Sequence, residues 1–297
     1  MHSHVSLLTD YGLSDEFVGV MKSVIVDMAP HARITDITHG VPAYDVRAGS
    51  LALARAIQYV PAGIVIAVVD PGVGSSRRMI AVEVAGGRGV LLGPDNGLLA
   101  PAVAMAGGPD RAFALTNTDL HLDGPGTTFA GRDVFAPVAA FLCNGGLLEE
   151  VGDEIDPVSV MPGVVPLPTQ ETHPQHGETI RCEVTWVDAY GNCQLNLGRD
   201  DIAHLGNVIK VVLGDLSAGA STGAGSLDIV RSAPIVDHFA AIGEGALGLV
   251  IDSYGMLALC IDRGSAATEL GLRAGDAVLL AAGTPGGTTS VEIRPNR

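Results

Sequence analysis

The sequence is poor in several features that mark common functional classes. Aromatic residues make up only 4% of its 297 residues, and 17 basic residues stand against 33 acidic ones, which gives a formal net charge of −16. A negative surface repels phosphate backbones and anionic lipids, and no cluster of Lys or Arg interrupts it. We therefore expect neither a nucleic acid nor a membrane as a partner. A small cationic ligand would meet a favourable field.

Long apolar segments and closely spaced cysteines are also missing. The longest apolar runs, such as residues 64–69, are far shorter than a bilayer span, and no basic segment followed by an apolar core opens the chain. The four cysteines form no Cys-x-x-Cys pair and have no neighbouring group of His residues; they are Cys143, Cys182, Cys193 and Cys260. We predict a cytoplasmic protein with buried, reduced cysteines and no metal site.

The first half of the chain alternates short apolar runs with helix-like segments. Strands are predicted at residues 5–8, 33–37, 64–69, 80–84 and 90–92, and helices at 15–28, 45–59, 98–105 and 133–143. Alternation of this kind indicates an α/β domain whose sheet lies between helices on both faces.

A proline-rich stretch separates this domain from a second one. Five prolines fall between Asp156 and Gly177 without clear periodicity, which is typical of a linker. We place the α/β catalytic domain at residues 1–165, the linker at 166–177 and the second domain at 178–297. Strand-like runs at 179–187, 193–197, 208–213, 246–251 and 257–261 predict that the second domain is mostly β and barrel-like.

A glycine-bent loop after a buried strand carries the most informative motif. Residues 65–78 read VIAVVDPGVGSSRR, so Asp70 ends the apolar run and Arg77 follows seven residues later. Ligands of open α/β sheets bind beyond the carboxyl ends of the strands, where Asp70 is expected. Taken alone, the motif fits a solvated ion pair at a turn equally well.

Other predicted strand ends also carry polar residues. Asp10 follows the first strand, where it could accept hydrogen bonds from ribose hydroxyls. Asp15 could hold a ligand ammonium group, although an acid at a helix start is stabilised by the helix dipole in any case. Residues 93–97, GPDNG, are typical of a helix cap, and the amides of residues 127–133 could line a pocket.

Taken in order, these motifs resemble the S-adenosylmethionine hydroxide adenosyltransferases, relatives of the fluorinases and chlorinases. The matching segments are LTDYG at 8–12, DITH at 36–39, VDPGVG at 69–74, GPDNG at 93–97, Phe129 with GRD at 131–133, YGN at 190–192 and GSAA at 264–267. The resemblance implies a homotrimer with active sites between an N-terminal α/β domain and the C-terminal β domain of the next subunit. It also implies attack of water or hydroxide on ribose C5′ of S-adenosyl-L-methionine, giving adenosine and L-methionine without a cofactor.

The resemblance further implies a catalytic set of Asp, Arg and His that holds the attacking water. Asp70 and Arg77 match its first two members, but Ala130 stands where the family has its His. Alanine neither binds water nor accepts a proton, so we expect hydrolysis slowed by ~10²–10⁴ if the His is a general base. We interpret Ala130 as a deliberate His-to-Ala substitution, with a natural variant as the alternative.

For the substrate, the resemblance implies that Asp10 binds the ribose and that Asp15, Asp188 and Ser253 lie near the methionine amino and carboxylate groups. Asn192 and the backbone near Arg263 would contact the adenine. Ordinary turn or surface roles are the alternatives for Asp188, Asn192, Ser253 and Arg263.

Two other functions are compatible with parts of the same pattern. A chlorinase would use the same substrate, but halogenases carry an extra loop where Arg78 here leads directly into Met79, and they lack the pair retained as Asp70 and Arg77. Gly131, where fluorinases have a Ser, argues against fluoride but not chloride. A non-catalytic sensor of S-adenosylmethionine or adenosine would keep the nucleoside contacts and lose the water-binding pair.

Overall fold

A computed structural model describes residues 2–214 and 229–284. The chain divides into an N-terminal unit, Met1–Val165, and a C-terminal unit, Pro166–Arg297. Residues 215–228 and 285–297, which belong to the predicted second domain, lie outside the described residues.

A seven-stranded sheet forms the centre of the N-terminal unit. Its strands are β1 (His4–Thr9), β2 (Arg33–Thr38), β3 (Ile64–Val68), β4 (Met79–Val84), β5 (Gly89–Pro94), β6 (Pro109–Ala114) and β7 (Asp153–Ile155). The helices are α1 (Phe17–Met28), α2 (Val46–Ala56), α3 (Ala100–Met105) and α4 (Ala136–Cys143). The strand order is β2-β1-β3-β5-β4-β6-β7. The first four of these strands are parallel, and β4, β6 and β7 are antiparallel to their neighbours.

Side chains alternate between two apolar cores on opposite faces of this sheet. Val5 and Leu7 of β1 pack in the core that includes α1 and α4, whereas Leu8 packs in the core that includes α2 and α3. Every residue of β3 is buried, as expected for a strand covered on both faces. The prediction of a sheet between two helical layers is confirmed.

The C-terminal unit is a closed barrel. Its described residues form the strands β8 (Thr169–His173), β9 (Gly177–Val187), β10 (Cys193–Gly198), β11 (Val208–Leu213), β12 (Ile229–Val236), β13 (Leu247–Ile251), β14 (Met256–Ile261) and β15 (Ala277–Ala282), and the short helix α5 (Ala266–Leu270). Seven strands follow the order β10-β14-β13-β12-β11-β15-β9, and pairing of β9 with β10 closes the ring. The barrel-like second domain is therefore confirmed, and β8 adds to the outside of β9.

Several elements differ from the sequence-based expectations. The stretch expected to be a linker contains β8, because the proline-free residues 169–173 form a hairpin with β9. Helix α1 begins at Phe17, which leaves Asp15 outside it. The predicted helix at 133–143 is divided into a π-helical turn, Gly131–Phe135, and α4.

All four cysteines are free and buried, as predicted. Burial is the main cause that raises the pKa of both Cys193 and Cys260 to about 12, and nearby carboxylates, including Asp188, add to it. The thiols therefore stay protonated at neutral pH. Within the described ranges, no helix is both long and apolar enough to cross a membrane.

Candidate active site

A cavity of about 400 Å³ in the N-terminal unit begins at Asp70, two residues after β3 ends. Three segments enclose it: the loop from Asp70 to β4, residues 121–127, and the turn that starts at Ala130. Asp70, Arg77 and Ala130, the three predicted catalytic positions, all line this cavity. The fold thus brings together residues up to 60 positions apart in the sequence.

Among the described residues, one carboxylate oxygen of Asp70 has hydrogen-bond donors and the other has none. Its Oδ1 accepts a hydrogen bond from the Gly72 N–H at 2.9 Å and another from Nη1 of Arg77. Its Oδ2 accepts no hydrogen bond from any residue that the structure describes. Only 9% of the Asp70 side chain is exposed, against 31% for Arg77. The carboxylate is therefore fixed in orientation, with one oxygen free to bind a small molecule.

The neighbouring Arg78 belongs to a different ion pair. Its Nε donates to Oδ2 of Asp95 at 2.9 Å, and its Nη2 donates to the Ser159 carbonyl at 2.7 Å. Asp95 or Asn96 was expected to cap the following helix. Asp95 instead binds Arg78 and the Met161 N–H, while Oδ1 of Asn96 accepts a hydrogen bond from the Leu98 N–H, just before α3. Arg77 therefore pairs with Asp70, and the adjacent Arg78 pairs with Asp95.

The turn after Ala130 packs closely against Tyr11. A Cβ at Gly131 would lie 2.9 Å from the Tyr11 hydroxyl oxygen and 2.8 Å from Sδ of Met21, so a larger residue there would have to displace these side chains. Burial, followed by the nearby carboxylates of Asp10 and Asp70, raises the pKa of Tyr11 well above its ordinary value. Tyr11 therefore remains a neutral phenol near both carboxylates. The sequence analysis did not select it, although it directly follows Asp10.

Neither of the two predicted acidic substrate ligands of this unit lines the cavity that contains Asp70. Asp10 follows β1, and Thr9 of β1 lies opposite Val68 of β3 in the sheet, so Asp10 and Asp70 leave adjacent strand ends. Oδ2 of Asp10 accepts a hydrogen bond from the Tyr44 N–H at 2.9 Å. Asp10 is half-buried, whereas Asp15 is exposed.

His121 also lines this cavity, and sequence reasoning missed it. Its Nε2 is buried and has no hydrogen-bond partner among the described residues. Burial lowers the pKa of His121 below its ordinary value of 6.5. No sequence motif marks this residue. It lies on an irregular loop that comes to the same cavity as Asp70 only in the folded protein.

The C-terminal unit contains the remaining predicted site residues around two cavities. Asp188, Asn192 and Arg263 line one of about 650 Å³, together with Tyr190 and Phe239. Ser253 lines a second, of about 370 Å³, to which Asp188 and Asn192 also contribute. The predicted residues of this unit are therefore brought together in one region of the barrel.

Asp188 organises the turn between β9 and β10. Its Oδ1 accepts hydrogen bonds from the backbone N–H groups of Tyr190 and Asn192, both at 2.9 Å, and its Oδ2 accepts one from Nδ2 of Asn192 at 2.8 Å. Gly191 has φ +82°, and a Cβ there would lie 2.0 Å from Oγ of Ser265. The turn thus holds Asn192 and Ser265 at the same cavity.

Replacing Gly72 with alanine should separate Asp70 from Arg77. The added Cβ would lie 2.7–2.8 Å from the guanidinium atoms of Arg77, the flexible end of a partly exposed side chain. The guanidinium can move away without unfolding the protein. We therefore expect kcat to fall by about 10²-fold, with little change in thermal stability. The matched control is Gly19→Ala, where the Cβ meets no atom within 4 Å; equal loss in both variants would refute the role of the pair.

Comparisons with known proteins identify the family of the chain. The family models described as SAM hydroxide adenosyltransferase N-terminal and C-terminal domains match residues 5–152 and 182–279. The (R)-S-adenosyl-L-methionine hydrolase of Salinispora tropica is 39% identical over 94% of this chain and 98% of its own length. A fluorinase of an Actinoplanes species is 26% identical over 91% of this chain and 95% of its own.

A solved structure has the same fold. The crystal structure of a conserved protein from Thermotoga maritima superposes with a TM-score of 0.80 at 32% identity, over 93% of this chain and 99% of that protein. With both family models matched in order, the chain belongs to the S-adenosylmethionine hydroxide adenosyltransferase family.

Proposed function

We propose that the protein hydrolyses S-adenosyl-L-methionine to adenosine and L-methionine. The observation that carries the proposal is the Asp70–Arg77 pair, which leaves one carboxylate oxygen unoccupied in a cavity at a strand end. The 39% identity to a protein named (R)-S-adenosyl-L-methionine hydrolase supports the choice of substrate. The net charge of −16 suits a substrate that carries a sulfonium cation.

In the proposed reaction, a water oxygen forms a bond to ribose C5′ while the C5′–S bond breaks. The bonding electron pair goes to sulfur, which leaves as the neutral thioether of methionine, and the proton that the water loses is released to solvent. Because a sulfonium is already a good leaving group, the enzyme's main task is to hold the water in line with the C–S bond and exclude bulk solvent. Oδ2 of Asp70 binds this water, and the Arg77 guanidinium stabilises negative charge on its oxygen.

The remaining predicted residues bind the substrate in this proposal. Asp10 accepts hydrogen bonds from the ribose hydroxyls. Asp15, Asp188 and Ser253 lie near the methionine amino and carboxylate groups. Asn192 and the backbone at Arg263, whose positive φ of 57° turns the chain sharply, contact the adenine.

We further propose a cytoplasmic homotrimer in which each active site combines residues of two subunits. Its test is the molar mass in solution, which should equal three chains. The chemistry itself calls for no cofactor, since the sulfonium activates C5′ without one. A chlorinase is not favoured, because the chain keeps Asp70 and Arg77 and passes from Arg78 directly into β4.

Product analysis tests the proposed function. The protein, dialysed against a chelator, is incubated with S-adenosylmethionine in chloride buffer, and the nucleosides are separated by mass. We expect adenosine and methionine in equal amounts, undiminished by the chelator. Chlorinated nucleoside would indicate a halogenase instead, and tight binding without turnover by this chain and by Ala130→His would indicate a sensor.

A further inference from the structure

We propose that His121 supplies the imidazole that is absent at position 130, and that it accepts the proton of the attacking water. The inference rests on the proposed hydrolase function and adds a catalytic residue to it. His121 and Ala130 line the same cavity as Asp70 and Arg77. The chain thus contains an Asp, an Arg and a His at one site, although the His comes from a different loop.

Backbone hydrogen bonds fix this loop against the turn that follows Ala130. The N–H of Leu122, next to His121, donates to the Asp133 carbonyl at 2.8 Å, and the N–H of His121 donates to the Thr118 carbonyl at 3.0 Å. A Cβ at Gly124 would lie 2.8 Å from Oδ2 of Asp133, which shows how closely the loop packs there. His121 is therefore held beside the site rather than carried on a free loop.

The imidazole has unused hydrogen-bonding capacity. Neither ring nitrogen of His121 makes a hydrogen bond to another described residue, and Nε2 is buried. Buried polar atoms almost always have a partner, either protein or an ordered water. Because His121 lines the cavity that also contains the free carboxylate oxygen of Asp70, its unpartnered imidazole points to a water, or a reacting group, as its partner.

The surrounding charges leave His121 available as a base. The other ionisable side chains that line the cavity are Asp70, Arg77, Asp123 and Asp133. Arg77 binds Asp70, and both carboxylate oxygens of Asp133 bind Arg132, at 2.6 and 3.0 Å. Because burial lowers the pKa of His121, its imidazole is neutral at pH 7. It can then take the water proton as the C5′–O bond forms and the C5′–S bond breaks, and release it to solvent afterwards.

A double-mutant cycle tests this assignment. Four proteins are compared for kcat and KM: the chain itself, His121→Ala, Ala130→His, and both changes together. We expect His121→Ala to lower kcat by about 10²-fold in the chain itself and by less than about threefold when a His stands at position 130. Equal losses in the two backgrounds would mean a structural role for His121 and would overturn the proposal.

The pH profile gives a readout that a structural role would not change. In the chain itself, kcat should fall in acid, at a pH below the ordinary imidazole pKa of 6.5, because protonation removes the base. His121→Gln can still hydrogen-bond water, but its amide does not titrate. Its kcat should therefore show no such fall at low pH. If Ala130→His forms adenosine and His121→Ala has the same kcat as the chain itself, only the role of His121 is refuted. If neither the chain nor Ala130→His forms adenosine, the proposed function itself fails.

Discussion

Replacing Asp70 with asparagine should lower kcat for adenosine formation by about 10²–10⁴-fold. The amide has nearly the same shape and can still accept the Gly72 N–H through its oxygen, but it has no charge to pair with Arg77 and cannot assist proton removal. The predicted substrate contacts lie on other residues, so KM should change by only a few-fold. Steady-state kinetics with S-adenosylmethionine would measure both values.

Asp95→Asn is the matched control for this variant. Asp95 also follows a strand of the sheet and binds an arginine, Arg78, with only 6% of its side chain exposed, but neither residue lines the cavity at Asp70. The variant should lose thermal stability while kcat remains close to that of the parent. A similar loss of kcat in the two variants would mean that the pair at Asp70 has only a structural role.

Replacing Ala130 with histidine should raise the rate of hydrolysis by about 10²-fold or more. The new imidazole would enter the cavity that already contains Asp70 and Arg77 and give the water a second base or hydrogen-bond acceptor. We expect the gain to appear in kcat rather than in KM, because the side chain acts on the water rather than on the adenosine or methionine groups. The same kinetic assay measures it.

Ala130→Asn separates proton transfer from simple positioning. An amide at position 130 can hold water but is not a base at neutral pH, so it should recover only a small part of the gain. If the His variant folds normally and is no faster than the parent, position 130 lies away from the reacting water.

Much of the fold could be predicted because local pattern and tertiary packing agree. The apolar run of β3 indicated a strand buried on both faces, and both cores confirm it. By contrast, β6 begins with Pro-Asp-Arg and was missed, since its pairing with β4 and β7 stabilises it against a weak local preference. Pro234 similarly interrupts the pattern of β12.

Some residues of the candidate site could likewise be predicted from the sequence, and others could not. Asp70 and Arg77 lie on one loop, so their spacing alone indicated that they could meet. Tyr11 and His121 have no such spacing. Tyr11 is positioned by its contact with Gly131, and the loop of His121 by the hydrogen bond from the Leu122 N–H to the Asp133 carbonyl. Asp15 was expected near the methionine groups of the substrate, yet it is exposed and, like Asp10, lies outside the lining of the cavity.

Hydrolysis in water enriched in ¹⁸O, followed by the mass of the adenosine formed, is the most direct test of attack at ribose C5′. If water attacks C5′, each adenosine gains one ¹⁸O at its 5′ oxygen and the methionine gains none. Attack of water at C5′ would be contradicted by any of three results: unlabelled adenosine, a chlorinated nucleoside, or no nucleoside product from either this chain or Ala130→His.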